Sequence, residues 1–482
     1  MKKTIKNIDL SKGTPWKVVL LFAFPIILAT LLTDAYSFTD SFILGKFAPT
    51  YFSGASSVTP IINLFVSFMN GVALAFSSLT SKYYGARDED GIHKSFLRSL
   101  ILQIILETVL YVTALLLLEP LLKLINVSRD IDPFVFDGAY YKALIILSTS
   151  FIASINVCII GQLRAIGDGF SPLLFSIIGN VVNIIIDIIM AFALPDAFSK
   201  LIGILLATTG STLVEFLFII LFVRKKYPLF RFKLSEIRSS MKGWSTYLKV
   251  AIPVGLQWSM IAVGFIALQG TFVNFDNIIS QQTGIISHDV VNGKSAAAQL
   301  ITYLCTLLGC IGSAIMSFTA QNYGAKKLDN IKVGIKQFVI MMLCTYGIIN
   351  FFTFFIVYNG TGLYIFLNAD YVNDSSKWYF STFYLIQSLM LICNAFVMIY
   401  RNILQGIQKT VFPLLSSIGE LAVRIIISLF LVNAVNPSNP ASRESYVMAS
   451  FSDPIAWVIS CIILISAATY FIYSKKSKLF LS

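Results

Sequence analysis

Residues 163–187 read LRAIGDGFSPLLFSIIGNVVNIIID, and residues 404–428 read LQGIQKTVFPLLSSIGELAVRIIIS. Laid over one another without a gap, they agree at 11 of 25 positions. Apolar matches are common by chance in a chain that is 56% hydrophobic, so Pro172/Pro413 and Ser176/Ser417 carry most of the weight. Two further pairs extend the repeat. Ser78-x-Thr80 with Tyr84-Gly85-Ala86 matches Ser317-x-Thr319 with Tyr323-Gly324-Ala325. Trp16, Leu20, Ala23 and Pro25 match Trp244, Leu248, Ala251 and Pro253. The offsets are 241, 239 and 228, in consistent order, so the chain reads as two copies of one unit.

Outward from the repeat, apolar runs recur along all 482 residues, and only 12% of residues are charged. Soluble domains carry about 25%, so this chain cannot coat soluble domains. Runs near 20 residues suit a bilayer about 30 Å thick. Twelve spans are expected, at 17–43, 53–80, 97–118, 139–161, 172–194, 201–223, 247–272, 296–320, 335–358, 379–403, 411–433 and 449–473. The fold class is therefore an all-α polytopic membrane protein with two pseudo-symmetric six-helix bundles, an N-terminal lobe at 1–236 and a C-terminal lobe at 237–482. An even helix count makes the two copies parallel repeats, a layout common among secondary transporters with a central site between the halves. Pro25 and Pro253 take equivalent places in the first helix of each half. A proline within a helix removes a hydrogen bond and kinks it, so each is a candidate hinge.

The net charge of +12 would suggest nucleic acid in a soluble chain, but here it is sorted by side. Odd-numbered loops hold Lys46, Lys123, Arg129, Lys142, Lys200, Lys294, Lys377 and Arg443, and Arg424 lies inside a span. The remaining 27 of 36 basic residues fall in the termini, the even-numbered loops and the span ends that adjoin them. The positive-inside rule then places both termini in the cytoplasm, and the excess reports topology without calling for a nucleic-acid partner. The Lys-rich start runs past Pro25 and Asp34 with no small-residue cleavage pattern, so it is read as the first span.

Catalytic machinery is absent from the sequence pattern. There are two histidines, His93 and His288, both expected in loops. Gly293-Lys294-Ser295 lacks the strand and the first glycine of a phosphate-binding loop. The six cysteines lie in apolar segments without C-x-x-C spacing, which supports neither disulfides nor zinc. No cofactor and no enzyme activity are expected.

Attention turns to the ionisable groups in the spans: Asp34, Asp40, Glu107, Asp187, Glu215, Glu420 and Arg424. Each costs about 2.5–3.5 kcal/mol at mid-membrane and needs a partner, a proton or water. Glu420 and Arg424 lie four apart, as a structural ion pair would. Asn183 and Asp187 share a face of the fifth helix, as Tyr36 and Asp40 share one of the first. Thr208 and Thr209 come from the sixth. These groups suit a proton site, an oxygen cage for Na⁺, or interhelical glue.

Phe24-Pro25-Ile26-Ile27 followed by Phe38-Thr39-Asp40-Ser41-Phe42-Ile43-Leu44-Gly45 resembles the first-helix signature of multidrug and toxic compound extrusion (MATE) transporters. Similar too are Tyr84-Gly85-Ala86-Arg87, Leu163 to Asp168 with Pro172, Asn183-x-x-x-Asp187 and Ala207-Thr208. The resemblance implies an ion-coupled antiporter in a bacterial cell membrane. It would export small organic cations or amphipathic compounds against inward H⁺ or Na⁺. A monomer among membrane lipids is expected, because each half already buries its partner. In the branch with an N-terminal coupling site, the coupling residues carried over are Asp40, Asn183, Asp187 and Thr208, with Tyr36 beside them; the same four would hold Na⁺. A second branch uses acids on the seventh and tenth helices, and spans 247–272 and 379–403 contain none. The polar stretch Asn274 to Lys294 is longer than the family pattern. Related readings are a flippase for lipid-linked sugars, disfavoured by the few cations expected inside the spans, and a membrane-embedded lipid enzyme.

Overall fold

The computed structural model describes residues 7–125, 127–130, 132–231, 236–284, 288–365 and 372–474; these are helical apart from connections, with no strand among them. Among the described residues, twelve helices are long and apolar enough to cross a membrane. In chain order they are α1 (Pro15–Phe47), α2 (Thr59–Gly85), α3 (Glu89–Leu124), α4 (Pro133–Ala165), α5 (Phe170–Ala193) and α6 (Ala197–Lys226). Then follow α7 (Trp244–Thr283), α8 (Asp289–Gly324), α9 (Leu328–Phe352), α10 (Asp374–Gly406), α11 (Val411–Val435) and α12 (Arg443–Tyr473). Long apolar sequence keeps each segment helical, because every backbone group in lipid must be satisfied within its own segment. Polar side chains set several starts. Asp88 accepts from the Gly91 amide at 2.8 Å, and Asp196 accepts from the Ser199 amide at 2.9 Å, each satisfying a donor the first turn leaves free.

The chain forms two compact units. One holds the stretch ending at Gly13, Lys17–Ser259 and Ala320–Lys327; the other holds Thr14–Trp16, Met260–Thr319 and the chain from Leu328 onward. In the first unit α2, α3 and α4 are tied by small polar side chains. Ser77 Oγ donates to the Gly161 carbonyl at 2.7 Å, the Thr80 and Ser95 hydroxyls meet at 2.7 Å, and Thr80 also donates to Gln162 Oε1. Such bonds substitute for the hydrophobic drive that lipid does not supply. In the second unit an apolar core of Phe272, Phe275, Phe380, Phe383 and Tyr446 joins α7, α10 and α12.

The repeat is visible in the backbone. Gly167 and Gln408, 241 apart, both adopt the left-handed region, with φ of 83° and 63°. Arg87 and Lys326, 239 apart, do the same with φ of 58° and 57°. Each closes a helix with a left-handed turn. Gly85 and Gly324 pack reciprocally: a Cβ on Gly85 would strike the Gln321 carbonyl, and one on Gly324 would strike the Lys82 carbonyl. Only glycine allows backbones this close. The two Tyr-Gly-Ala segments are thus one contact seen from both sides.

Residues 8–11 run along this contact. The Ile8 amide donates to the Gly167 carbonyl at 3.0 Å, and the Leu10 amide donates to Gln321 Oε1 at 3.0 Å. Asn322 and Lys327 donate to the Leu10 and Ser11 carbonyls at 3.2 and 2.8 Å. Beneath lies Asp168, accepting from the Ser171 amide at 2.9 Å, from Lys226 Nζ at 3.0 Å and from the Tyr227 hydroxyl. Burial pushes this carboxyl up, but the Ser171 and Tyr227 hydrogen bonds and the Lys226 charge hold it below the usual range.

Three expectations need correction. Lys142 and Lys294 are not loop cations: they lie inside α4 and α8. The polar stretch 274–294 is mostly helix, because α7 continues to Thr283 and α8 begins at Asp289. Asp276 makes this possible by accepting from the Val290 and Val291 amides at 3.1 and 2.8 Å, capping α8 from α7. Residues 285–287 and Lys233 of the basic loop fall outside the described residues. Buried cations are also more numerous than expected, since Arg98, Lys294 and Arg401 join Arg424. All six cysteines are free thiols.

Candidate ion and substrate site

The first unit brings together all five predicted coupling residues, from α1, α5 and α6. Asp187 is 0% exposed and Asn183, one turn before it, is 1% exposed. With its amide turned so that both ends find partners, Asn183 donates to Asp187 Oδ2 at 2.8 Å and accepts from the Thr208 amide at 3.3 Å. Tyr36 faces the Thr208 side chain and neighbours Asp40, Asp187 and Glu215. Asp40 in turn neighbours Asp187 and Lys142. Lys142 donates to the Thr59 hydroxyl at 3.0 Å.

This arrangement carries three acids against one lysine, and its hydrogen bonds are incomplete. Asp40 Oδ1 and Asp187 Oδ1 are buried without a hydrogen-bond partner, as is Nδ2 of Asn180, about one turn before Asn183. Buried carboxylate oxygens left open in a membrane are costly. Two such oxygens beside Tyr, Asn and Thr form an acceptor set that suits a proton or a hard monovalent cation. Among the described residues, no three of His, Cys, Asp and Glu are placed to share a metal ion. A cavity of about 170 Å³ opens between α1 and α5, lined by Tyr36, Thr39, Asn180 and apolar neighbours including Leu32 and Ile184. It is smaller than the roughly 300 Å³ at which drug-sized pockets begin.

Glu215 and Lys142 were not assigned to this site by sequence. Glu215 accepts from Asn156 Nδ2 at 3.3 Å. Its signal was available: it stands seven residues after Thr208, two turns along the same face of α6. Lys142 offered no signal, because nothing in its spacing relates α4 to Asp40. Asp34 lies on α1 outside this group.

Pro25 and Pro253 are inside α1 and α7, as expected. The Glu420–Arg424 pair exists but is the weakest link of a longer chain. Arg424 Nη1 lies 3.6 Å from Glu420 Oε2, whereas Arg401 Nη2 is 2.5 Å from Glu420 Oε1 and Arg424 Nε is 2.7 Å from Asp453 Oδ1. The i,i+4 spacing permitted the pair, but the stronger partners come from α10 and α12. Arg401 and Asp453 sit near the ends of their predicted spans, where charge reads as interfacial.

The profile of the MatE family matches residues 25–189 and 261–430, one block in each repeat. The chain belongs to the MatE family. Among its relatives, the probable multidrug resistance protein YoeA of Bacillus subtilis is 24% identical over 328 residues, covering 67% of each chain. YpnP of the same species, also a probable multidrug resistance protein, is 26% identical over 329 residues, covering 66% of this chain and 68% of the relative. An outward-facing multidrug resistance MATE transporter of the MOP superfamily shares the fold, with a TM-score of 0.79, 20% identity, and coverage of 98% of this chain and all of that one. This MatE protein is accordingly an integral membrane transporter of the bacterial plasma membrane, and not an enzyme.

Proposed function

We propose that this MatE protein is an antiporter that exports cationic or amphipathic organic compounds in exchange for inward H⁺ or Na⁺. The observation that carries the reading is the pair of acids, Asp187 buried and Asp40 half-buried, each with one buried oxygen left open. The coupling ion fills those positions, with Asn183, Thr208 and Tyr36 orienting the carboxylates. Binding removes negative charge from a dry helix bundle and changes which packing of α1 against α5 and α6 is the more stable. Pro25 gives α1 a point at which to bend, and Pro253 gives α7 an equivalent one. An inward-moving cation gains about 2.3 kcal/mol per charge per 100 mV. Export of a neutral amphipathic compound receives all of that; one-for-one export of a monovalent cation draws only on the ion's concentration gradient.

The test is efflux of a fluorescent cation from cells carrying Asp40→Asn or Asp187→Asn. Both variants are expected to lose ion-driven export while still reaching the membrane, and undiminished export by both would end the coupling assignment. Proteoliposomes in which pH and Na⁺ gradients are imposed separately then identify the ion.

A further inference from the structure

The gap-free repeat sets Asn183 opposite Arg424 and Asp187 opposite Ser428. The C-terminal counterpart of the acidic site therefore has its polarity reversed, and the structure fills in that reversal. Arg424 is 1% exposed, and its Nη1 has no hydrogen-bond partner. Arg401 Nε and Ser428 Oγ are likewise buried and unpartnered. Ser428 stands one turn after Arg424, in a π-helical turn at Ile427–Leu431; such turns re-aim side chains and gather at functional sites.

Lys294 of α8 belongs to the same group. It is 9% exposed, its Nζ donates to the neutral Gln269 Oε1 at 2.5 Å, and its charged neighbour is Asp453, already bonded to Arg424. Both cations touch α7, and both neighbour Asp453. A Cβ at Gly264 would lie 2.8 Å from Arg424 Cδ, while Gln269 holds Lys294 five residues along. These anchor points are about 7–8 Å apart along the axis and about 140° apart around it, so it is the shared neighbour Asp453 that places the two cations in one group. The cluster contains Arg401, Arg424 and Lys294 against Glu420 and Asp453, an excess of one positive charge inside a membrane-spanning lobe. An uncompensated buried charge is among the costliest features a membrane protein can hold.

We propose that Arg424, Ser428 and Lys294 form a binding site for one small monovalent anion, chloride or a carboxylate group of similar size. The anion cancels the excess charge and accepts from the open Arg424 N–H and Ser428 O–H. The cation site of one repeat is matched by an anion site in the other.

Thermal unfolding of the purified full-length protein, at constant ionic strength, tests this. Sodium gluconate, too bulky for the site, serves as baseline, and chloride, bromide, formate and acetate are titrated against it. A saturable rise in the unfolding midpoint of a few degrees is expected. A response to the halides assigns the site to chloride, and a response to formate and acetate assigns it to a carboxylate; either supports the site. Lys294→Met, which removes the excess charge at similar volume, is expected to abolish the response, and Lys294→Arg to keep it. If Lys294→Met does not fold, Ser428→Ala is read instead and is expected to weaken the response about tenfold. A midpoint indifferent to every anion, or a response unchanged in Lys294→Met or its substitute, overturns the proposal.

Discussion

Asp453→Asn isolates the energetics of the buried charge ladder. Arg424 takes its shortest ion contact from Asp453, at 2.7 Å, whereas Glu420 lies 3.6 Å away and is engaged at 2.5 Å by Arg401. Removing the Asp453 charge raises the cluster's excess from one to two positive charges and leaves Glu420 shared between two guanidinium groups. Truncating one partner of a buried pair costs about 3–5 kcal/mol. Asparagine keeps an acceptor oxygen toward Nε, so the loss falls near the lower limit, about 3 kcal/mol. For a cooperative unit of lobe size, where 1 kcal/mol moves the midpoint by about 2–4 °C, this predicts a fall of about 6–12 °C. The assay is the temperature at which the monodisperse peak of detergent-solubilised protein is lost, for Asp453→Asn, Arg424→Met and the double variant. The double variant is expected to recover at least half of the sum of the single losses, because it returns the cluster to the parent's excess of one positive charge and leaves Glu420 paired with Arg401. A midpoint for Asp453→Asn within 2 °C of the parent, or single losses that simply add, would refute the ladder as a coupled unit.

Asp168→Asn is expected to lower the midpoint by about 2 kcal/mol equivalent, since Lys226 is partly exposed and the Ser171 bonds persist. Its carboxyl is held below the ordinary range, so its stabilisation is complete above about pH 4 and is lost as pH falls through the lower folded value. The gap between parent and Asp168→Asn should therefore be constant from pH 7 to 5 and narrow progressively as pH falls below about 4; a gap that does not narrow there contradicts this. Gly324→Ala puts a Cβ against the Lys82 carbonyl and should slow transport and lower stability by about 1–3 kcal/mol, whereas Gly270→Ala, with open space around its Cβ, serves as the neutral control. Equal behaviour of the two alanine variants in transport and melting would exclude the close approach.

What the chain determines locally was legible without coordinates. Twelve spans follow from run length, the two-unit repeat from Pro172/Pro413 and its companions, and the Asn183–Asp187 face from the helical period, since four residues bring side chains onto one stripe. That stripe had to face something, and the paired acids on α1 and α5 made each other the natural partner. Apart from Glu215, which shares a face of α6 with Thr208, the members that sequence missed depend on contacts between helices. Lys142 and Lys294 stood near span ends and read as loop charges, because run length does not tell where a helix stops when its last turns are polar. Arg401 and Asp453 displaced the i,i+4 pair at Arg424, because partner choice is set by which helices pack and at what depth. Gln321 and Leu10 are 311 residues apart yet share a hydrogen bond, a relation no periodicity encodes. Sequence alone thus determined the segments, their repeat and the acids worth attention, for these follow from hydrophobicity and 3.6-residue geometry within one helix. Tertiary structure alone decided the charge balance of each site, because in a low-dielectric interior that balance is summed over neighbours supplied by other helices.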